Sequence, residues 1–201
     1  QVIDLDSALA SLRQGITELN GIIREQFDAA IGKIDSAFKE YFGRLFSGGT
    51  GRISVVRRET EESEAQGEEQ NVRNEWEQGD DVVGVEIYAT PPDKRLKNLS
   101  ALSGGEKAMT AIALMCAIIS NNPSPFVVLD EVDAALDDSN AHRFALIVSE
   151  LSSQTQFILI THNRVTIHTA QVLYGVTMGD DGISKVLSLD IERAGAIVRQ
   201  S

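Results

Sequence analysis

Only one cysteine, Cys116, occurs in the 201 residues, so no internal disulfide can form. It lies in an apolar stretch of helical character, where a thiol is expected to be buried and inert. A reducing, intracellular setting fits. The four prolines all fall between residues 91 and 125, and the first 42 residues hold none, so nothing there breaks a helix. No signal peptide is recognisable, and no uninterrupted apolar run is long enough to span a bilayer. Basic residues are few: 18 Lys and Arg stand against 30 Asp and Glu, a net charge of −12. That excludes a general nucleic-acid-coating surface but not a small basic patch. The absence with the largest consequence is a motif: no G-x-x-x-x-G-K-[ST] phosphate loop occurs anywhere.

What is present fits one substantial α/β core with an appendage. Leu5, Leu9, Leu12, Ile16, Leu19 and Ile23 recur in steps of four and three, a heptad seam. Phe27, Ile31, Ile34, Phe38 and Phe42 continue it after one extra four-residue step, a stutter. Two readings stay open, a coiled-coil strand and a long helix packed on its own domain. The change from aliphatic to phenylalanine knobs fits a helix leaving a partner and entering a globular core. The pattern already runs at Gln1, which leads us to expect a portion of something longer. The segment 46–51, with glycines at 48, 49 and 51, should stop this helix.

Two β-rich stretches follow, at 52–57 and 82–88, flanking an acidic, glutamine-rich segment at 59–81 that reads as an exposed loop. A buried helix is expected at 103–120. Short apolar strands are expected at 126–129 and 157–160, of the kind buried inside a parallel sheet. A helix is expected at 139–152. Closing strands should lie at 172–178 and 183–191, joined by a turn at 179–182. Alternating strands and helices predict a mainly parallel sheet.

Two short strings carry the chemistry. Leu102-Ser103-Gly104-Gly105-Glu106-Lys107 has the form of a capping box, a Ser N-cap with Glu three residues on. Its two glycines also let backbone approach a ligand at the positive end of a helix, which suits a phosphate. Asp130-Glu131 follows four apolar residues, and adjacent acids at a strand tip are how an ATPase holds magnesium and polarises water. On that chemistry Asp130 holds Mg²⁺ through water, and Glu131 orients the attacking water as general base. Asp133 and the pair Asp137 and Asp138 are open between helix capping and ligand roles. His162 ends the next strand, where ligands of open α/β sheets gather, and can donate to a γ-phosphate or to the water. His142 and His168 lie in helical stretches and have no assigned role.

These strings, together with 41–49 (YFGRLFSGG), 91–95 (PPDKR), 128–137 (VLDEVDAALD), 156–163 (QFILITHN) and 173–178 (LYGVTM), resemble the C-terminal head lobe of a bacterial structural maintenance of chromosomes (SMC) protein. The likeness covers nearly everything from Phe38 on; the long acidic stretch at 59–81 departs from it. The resemblance implies half of an ABC-type P-loop ATPase head, split from its phosphate-cradling N-terminal lobe by a long antiparallel coiled coil. Residues 1–42 would be the end of the returning coil and 43–201 the lobe. It implies ATP and Mg²⁺ as cofactors, sandwiched between two heads. Ser103, Gly104, Gly105 and Glu106 would serve the partner head's γ-phosphate, with 134–137 as a loop crossing the dimer that brings Asp137 to the nucleotide. Asp130, Glu131 and His162 would serve the head's own nucleotide. The implied partners are the N-terminal lobe, a second head, the C-terminal winged-helix domain of a kleisin, and DNA, at a cytoplasmic, nucleoid-associated location with no membrane.

Three other readings compete. A lobe acting only as a kleisin-docking module would differ in turnover when its N-terminal lobe is supplied. A transporter nucleotide-binding domain is opposed by Glu106, by the coil-like N-terminus and by the missing phosphate loop. A zinc-hook DNA-repair ATPase is a nearer rival, disfavoured by the 91–95 and 130–138 strings.

Overall fold

The computed structural model describes residues 2–57, 82–92, 97–180 and 182–190. The acidic segment 59–81, Trp76, Asp93, Lys94, Arg95, Asp181 and Ile191 lie outside the described residues.

The proline-free N-terminus forms one helix, α1 (Val2–Phe46). Its two halves differ in surroundings. Leu9, Leu12, Ile16, Leu19 and Ile23 are exposed, so the heptad seam has no partner among the described residues. Phe38, Tyr41, Phe42 and Leu45 are buried and open the core. Phe42 stacks on Phe46 at 4.1 Å and meets Phe38 edge-on at 5.9 Å, the two geometries aromatic quadrupoles favour. The helix ends where the glycines require. Gly49 has φ +76°, and a Cβ there would sit 2.3 Å from the Thr90 carbonyl oxygen.

Strands β1 (Thr50–Arg57) and β2 (Val82–Thr90) pair antiparallel, and the two-residue β3 (Lys97–Asn98) extends them. This sheet lies on α1. A Cβ at Gly51 would reach 2.7 Å from the Phe38 ring, and Asp35 accepts from the Ile53 amide at 2.6 Å. An Arg57–Asp28 ion pair fastens the far end of β1 to the helix.

Helix α2 (Gly104–Asn121) buries Met109, Ile112, Ala113, Cys116, Ala117 and Ile119. Most of these join the phenylalanines of α1 in one cluster. Cys116 is fully buried, and desolvation pushes its thiol up to about 12, an inert group as expected.

Next comes a βαβ unit: β4 (Phe126–Asp130), α3 (Asp138–Leu151) and β5 (Gln156–Ile160), its strands parallel and in register from Phe126 opposite Gln156 to Asp130 opposite Ile160. Phe144, Ile147 and Val148 turn α3 into the core. Arg44 of α1 pairs with Glu150 at 2.6 Å, and Arg143 donates to the Leu45 carbonyl at 3.3 Å, so α3 is clipped to the end of α1. A single turn, α4 (Arg164–Ile167), follows, then a hairpin of β6 (Val172–Met178) and β7 (Ser184–Asp190).

Two expectations are corrected. The sheet is not mainly parallel: among the described residues β4–β5 is the one parallel pair, and the other pairings are antiparallel. Among the described residues only one strand-helix-strand crossover is present to generate a parallel pair. Nor are β4 and β5 buried on both faces. Phe126, Val128, Ile158 and Ile160 are between 46% and 61% exposed. The intervening Leu129 is buried, and Val127, Phe157 and Leu159 pack against the core. The apolar run specifies a two-sided strand, but the described residues cover one side.

Candidate functional site

Ser103 is the N-cap of α2, and the capping box is complete. Ser103 N–H donates to Glu106 Oε2 at 2.9 Å, and Glu106 N–H to Ser103 Oγ at 3.4 Å. Glu106 therefore serves the turn itself. The first amides of a helix have no intrahelical acceptor, which holds for those of Gly104 and Gly105. Gly105 lies against the loop after β4: a Cβ on it would stand 3.5 Å from the Ala135 carbonyl oxygen.

The acid pair sits at the C-terminal tip of β4. Asp130 is the last residue of the strand and is exposed. Glu131 has φ +49°, the left-handed region that a glutamate rarely adopts. Such a conformation costs on the order of 1–3 kcal/mol and persists where surrounding structure enforces it, commonly at functional sites. Here the enforcement is visible. Glu131 N–H donates to Ile160 O at 2.8 Å, and its own carbonyl accepts from Ala134 N–H at 3.1 Å. The tight turn aims the Glu131 carboxylate at His162, with Oε1 3.9 Å from Nδ1. Both side chains are exposed, so this contact is worth little as an ion pair; its content is the shared direction.

The remaining acids separate. Asp137 is the N-cap of α3 and accepts from Asn140 N–H at 2.8 Å. Asp138 is the first residue of that helix. Asp133 caps nothing. It is buried and accepts from the hydroxyls of Thr161 and Thr166, which lie 28 and 33 residues away. Thr161 and Thr166 were not assigned roles by sequence reasoning, and only the Thr161-His162-Asn163 string pointed near them. His142 lies in α3, and His168 is the C-cap of α4.

The structure thus brings Asp130, Glu131 and His162 together at adjacent strand tips. It places Gly105, at the start of α2, beside the loop that follows Glu131. Ser103 and the acid pair are not hydrogen-bonded to one another among the described residues. The donors fit magnesium chemistry of the nucleotide kind. No group of three or more His, Cys, Asp or Glu converges on one point among the described residues. A single carboxylate at a strand tip leaves the other positions to water and phosphate oxygens, as Mg²⁺ prefers.

Residues 10–185 match the family described as the RecF/RecN/SMC N terminal domain. The chain is 42% identical over 189 residues to the chromosome partition protein Smc of Desulfitobacterium hafniense, across 94% of this chain. The chain belongs to the SMC family. It is also 42% identical over 198 residues to the Smc protein of Bacillus subtilis, across 98% of this chain. It spans about one seventh of the length of these relatives, 14% and 15%.

Solved SMC structures agree on the fold. An Smc head domain with coiled coil and joint from Pyrococcus yayanosii superposes with a TM-score of 0.75 at 34% identity, covering 98% of this chain and 34% of that one. An SmcHead bound to the C-winged helix domain of ScpA gives 0.69 at 37% identity, covering 90% of this chain and 51% of that one. A chain from a study of ATP-driven dimerization and DNA-stimulated activation of SMC ATPases gives 0.65 at 36% identity, and 95% of it is covered, against 88% of this chain. The fold is that of the SMC ATPase head, a P-loop NTPase-like α/β architecture with mixed sheets.

Proposed function

We propose that this SMC chain is the C-terminal lobe of an ATPase head that organises and partitions chromosomes on DNA in the cytoplasm, at the nucleoid. The observation that carries this reading is the bare apolar face of β4 and β5, directly beneath Asp130 and Glu131. A parallel strand pair is normally covered on both faces and flanked by further strands. Phe126, Val128, Ile158 and Ile160 are not covered, so the sheet needs a second lobe. The missing phosphate loop says what that lobe brings. The family match bears the description of an N-terminal domain, so the assignment to the C-terminal lobe rests on these residues and not on that description. Residues 1–42 are then the end of a coiled-coil arm whose exposed seam awaits its antiparallel strand, and 43–201 are the lobe.

Mg-ATP, when bound, supplies the phosphoanhydride bond that is cleaved and a cation that neutralises phosphate charge. Asp130 would hold the cation at the tip of β4. Glu131 accepts a proton from the attacking water at its carboxylate. His162 orients that water or the γ-phosphate from the tip of β5. Ser103, with the amides of Gly104 and Gly105, receives the γ-phosphate held on the opposite head, and the loop to Asp137 crosses between heads. Two heads thereby complete each other's sites.

The β6–β7 hairpin is the proposed dock for a kleisin winged-helix domain. Val176, Val186 and Leu187 are exposed on it, and it lies after the strand tips in a separate two-stranded sheet. One experiment tests both surfaces. Val128→Lys should abolish association with the phosphate-loop lobe and leave kleisin binding intact, whereas Val186→Lys should do the reverse. A folded Val128→Lys variant that joins the lobe with wild-type affinity would remove the case for the bare face.

A further inference from the structure

The buried carboxylate beside this site has no part in the steps above. Asp133 is 2% exposed. Among the described residues its side-chain partners are hydroxyls: Thr161 Oγ1 at 2.9 Å from Oδ1 and 2.8 Å from Oδ2, and Thr166 Oγ1 at 2.5 Å from Oδ2. Burying a carboxylate with only neutral partners is unfavourable relative to leaving it in water, so the site is expected to gain something by it. Helix capping is not the gain, because Asp137 caps α3.

The connections identify the gain. Asp133 lies two residues after Glu131, and Thr161 lies one residue before His162. The Thr161 hydroxyl donates to Asp133 and accepts from Asn163 N–H at 2.9 Å. Asn163 in turn accepts from Val165 N–H at 2.9 Å and caps α4, the turn that carries Thr166. The loop after β4 is thereby tied at two points, to the end of β5 and to the loop that follows it. One is the Glu131 N–H bond to Ile160 O; the other is the Asp133 clamp on Thr161 and Thr166. Glu131 and His162 project from between these ties.

We propose that Asp133 is a positioning residue: through Thr161 and Thr166 it fixes the loop of Glu131 against the loop of His162, and so sets the spacing of that pair. This rests on the ATPase reading above. Misplacing a reacting group by about 1 Å can cost on the order of 10²-fold in rate, so a clamp of this kind acts on turnover and not on nucleotide affinity.

The test uses the head assembled from this chain and its phosphate-loop lobe, with Mg-ATP as probe. Thr161→Val keeps shape and loses the donor; Thr161→Ser keeps the donor. Thr161→Val should lower kcat at least tenfold with KM for ATP unchanged, and Thr161→Ser should stay within about twofold of wild type, the losses lying below the ~10²-fold ceiling for misplacement. In a His162→Ala background Thr161→Val should have no further effect, because the clamp acts through His162. Asp133→Asn, which conserves volume, should also lower kcat at unchanged KM, and it carries the test if Thr161→Val does not fold. Wild-type kcat in folded Thr161→Val and Asp133→Asn would overturn the proposal, as would losses that add fully to that of His162→Ala. A wild-type head that does not hydrolyse ATP would overturn the ATPase reading and this one with it. Hydrolysis by wild type with no effect of these variants overturns this one alone.

Discussion

Glu131→Gln in an assembled head should bind ATP as the wild type does and hydrolyse it about 10²–10⁴-fold more slowly, the usual cost of losing a general base. The substitution is close to isosteric. The amide can still hold a water, but it cannot accept the proton that water must lose. The backbone should not change, since the φ of +49° is enforced by the bond to Ile160 O and not by the side chain. His162 should stay in place, 3.9 Å from the former carboxylate. With binding intact and turnover blocked, paired heads should accumulate in ATP. Phosphate release and sedimentation on the same sample check both halves. If the variant hydrolyses like wild type, Glu131 is a solvated acid at a strand tip, and its strained backbone has no catalytic meaning.

Ser103→Arg should abolish head pairing and hydrolysis while each head still binds ATP. A guanidinium on a long side chain would fill the space that the proposed function gives to the opposite head's γ-phosphate. Ser103 is also a helix cap, and losing a cap costs about 0.5–2 kcal/mol. The two roles separate with Ser103→Asp. Aspartate caps as well as serine does, so this variant should melt like wild type. Its charge repels a phosphate, so it should nonetheless fail to pair. The Glu106 bond to the residue-103 amide survives in both variants, since that donor is backbone. Normal pairing by a stable Ser103→Asp would reduce the motif to a capping box.

Local signals were legible in the sequence. The capping box at Ser103 needs only residues three apart, and it formed as the spacing requires. The stop after Phe46 follows from Gly48 and Gly49. The parallel pairing of β4 and β5 follows from two apolar runs separated by a helix. What was not legible is non-local. Asp133 and Asp137 look alike in sequence, acids in a loop before a helix. One became a cap, and the other was drawn inside by hydroxyls 28 and 33 residues away. The left-handed Glu131 has no propensity signal, because tertiary bonds impose it. An apolar run states that a strand will be covered without naming the cover, so the exposed side of Val128 and Ile158 was read as buried. The expectation of a mainly parallel sheet assumed more crossovers than the single β4–α3–β5 unit among the described residues provides.

The central claim is that this chain holds half of a nucleotide site, and calorimetric titration with Mg-ATP tests it most directly. The chain alone, without the amides and lysine of a phosphate loop, should show no binding in the micromolar range. The same chain mixed with the phosphate-loop lobe should bind, and turnover should appear with it. Micromolar Mg-ATP binding by the isolated chain would contradict the account.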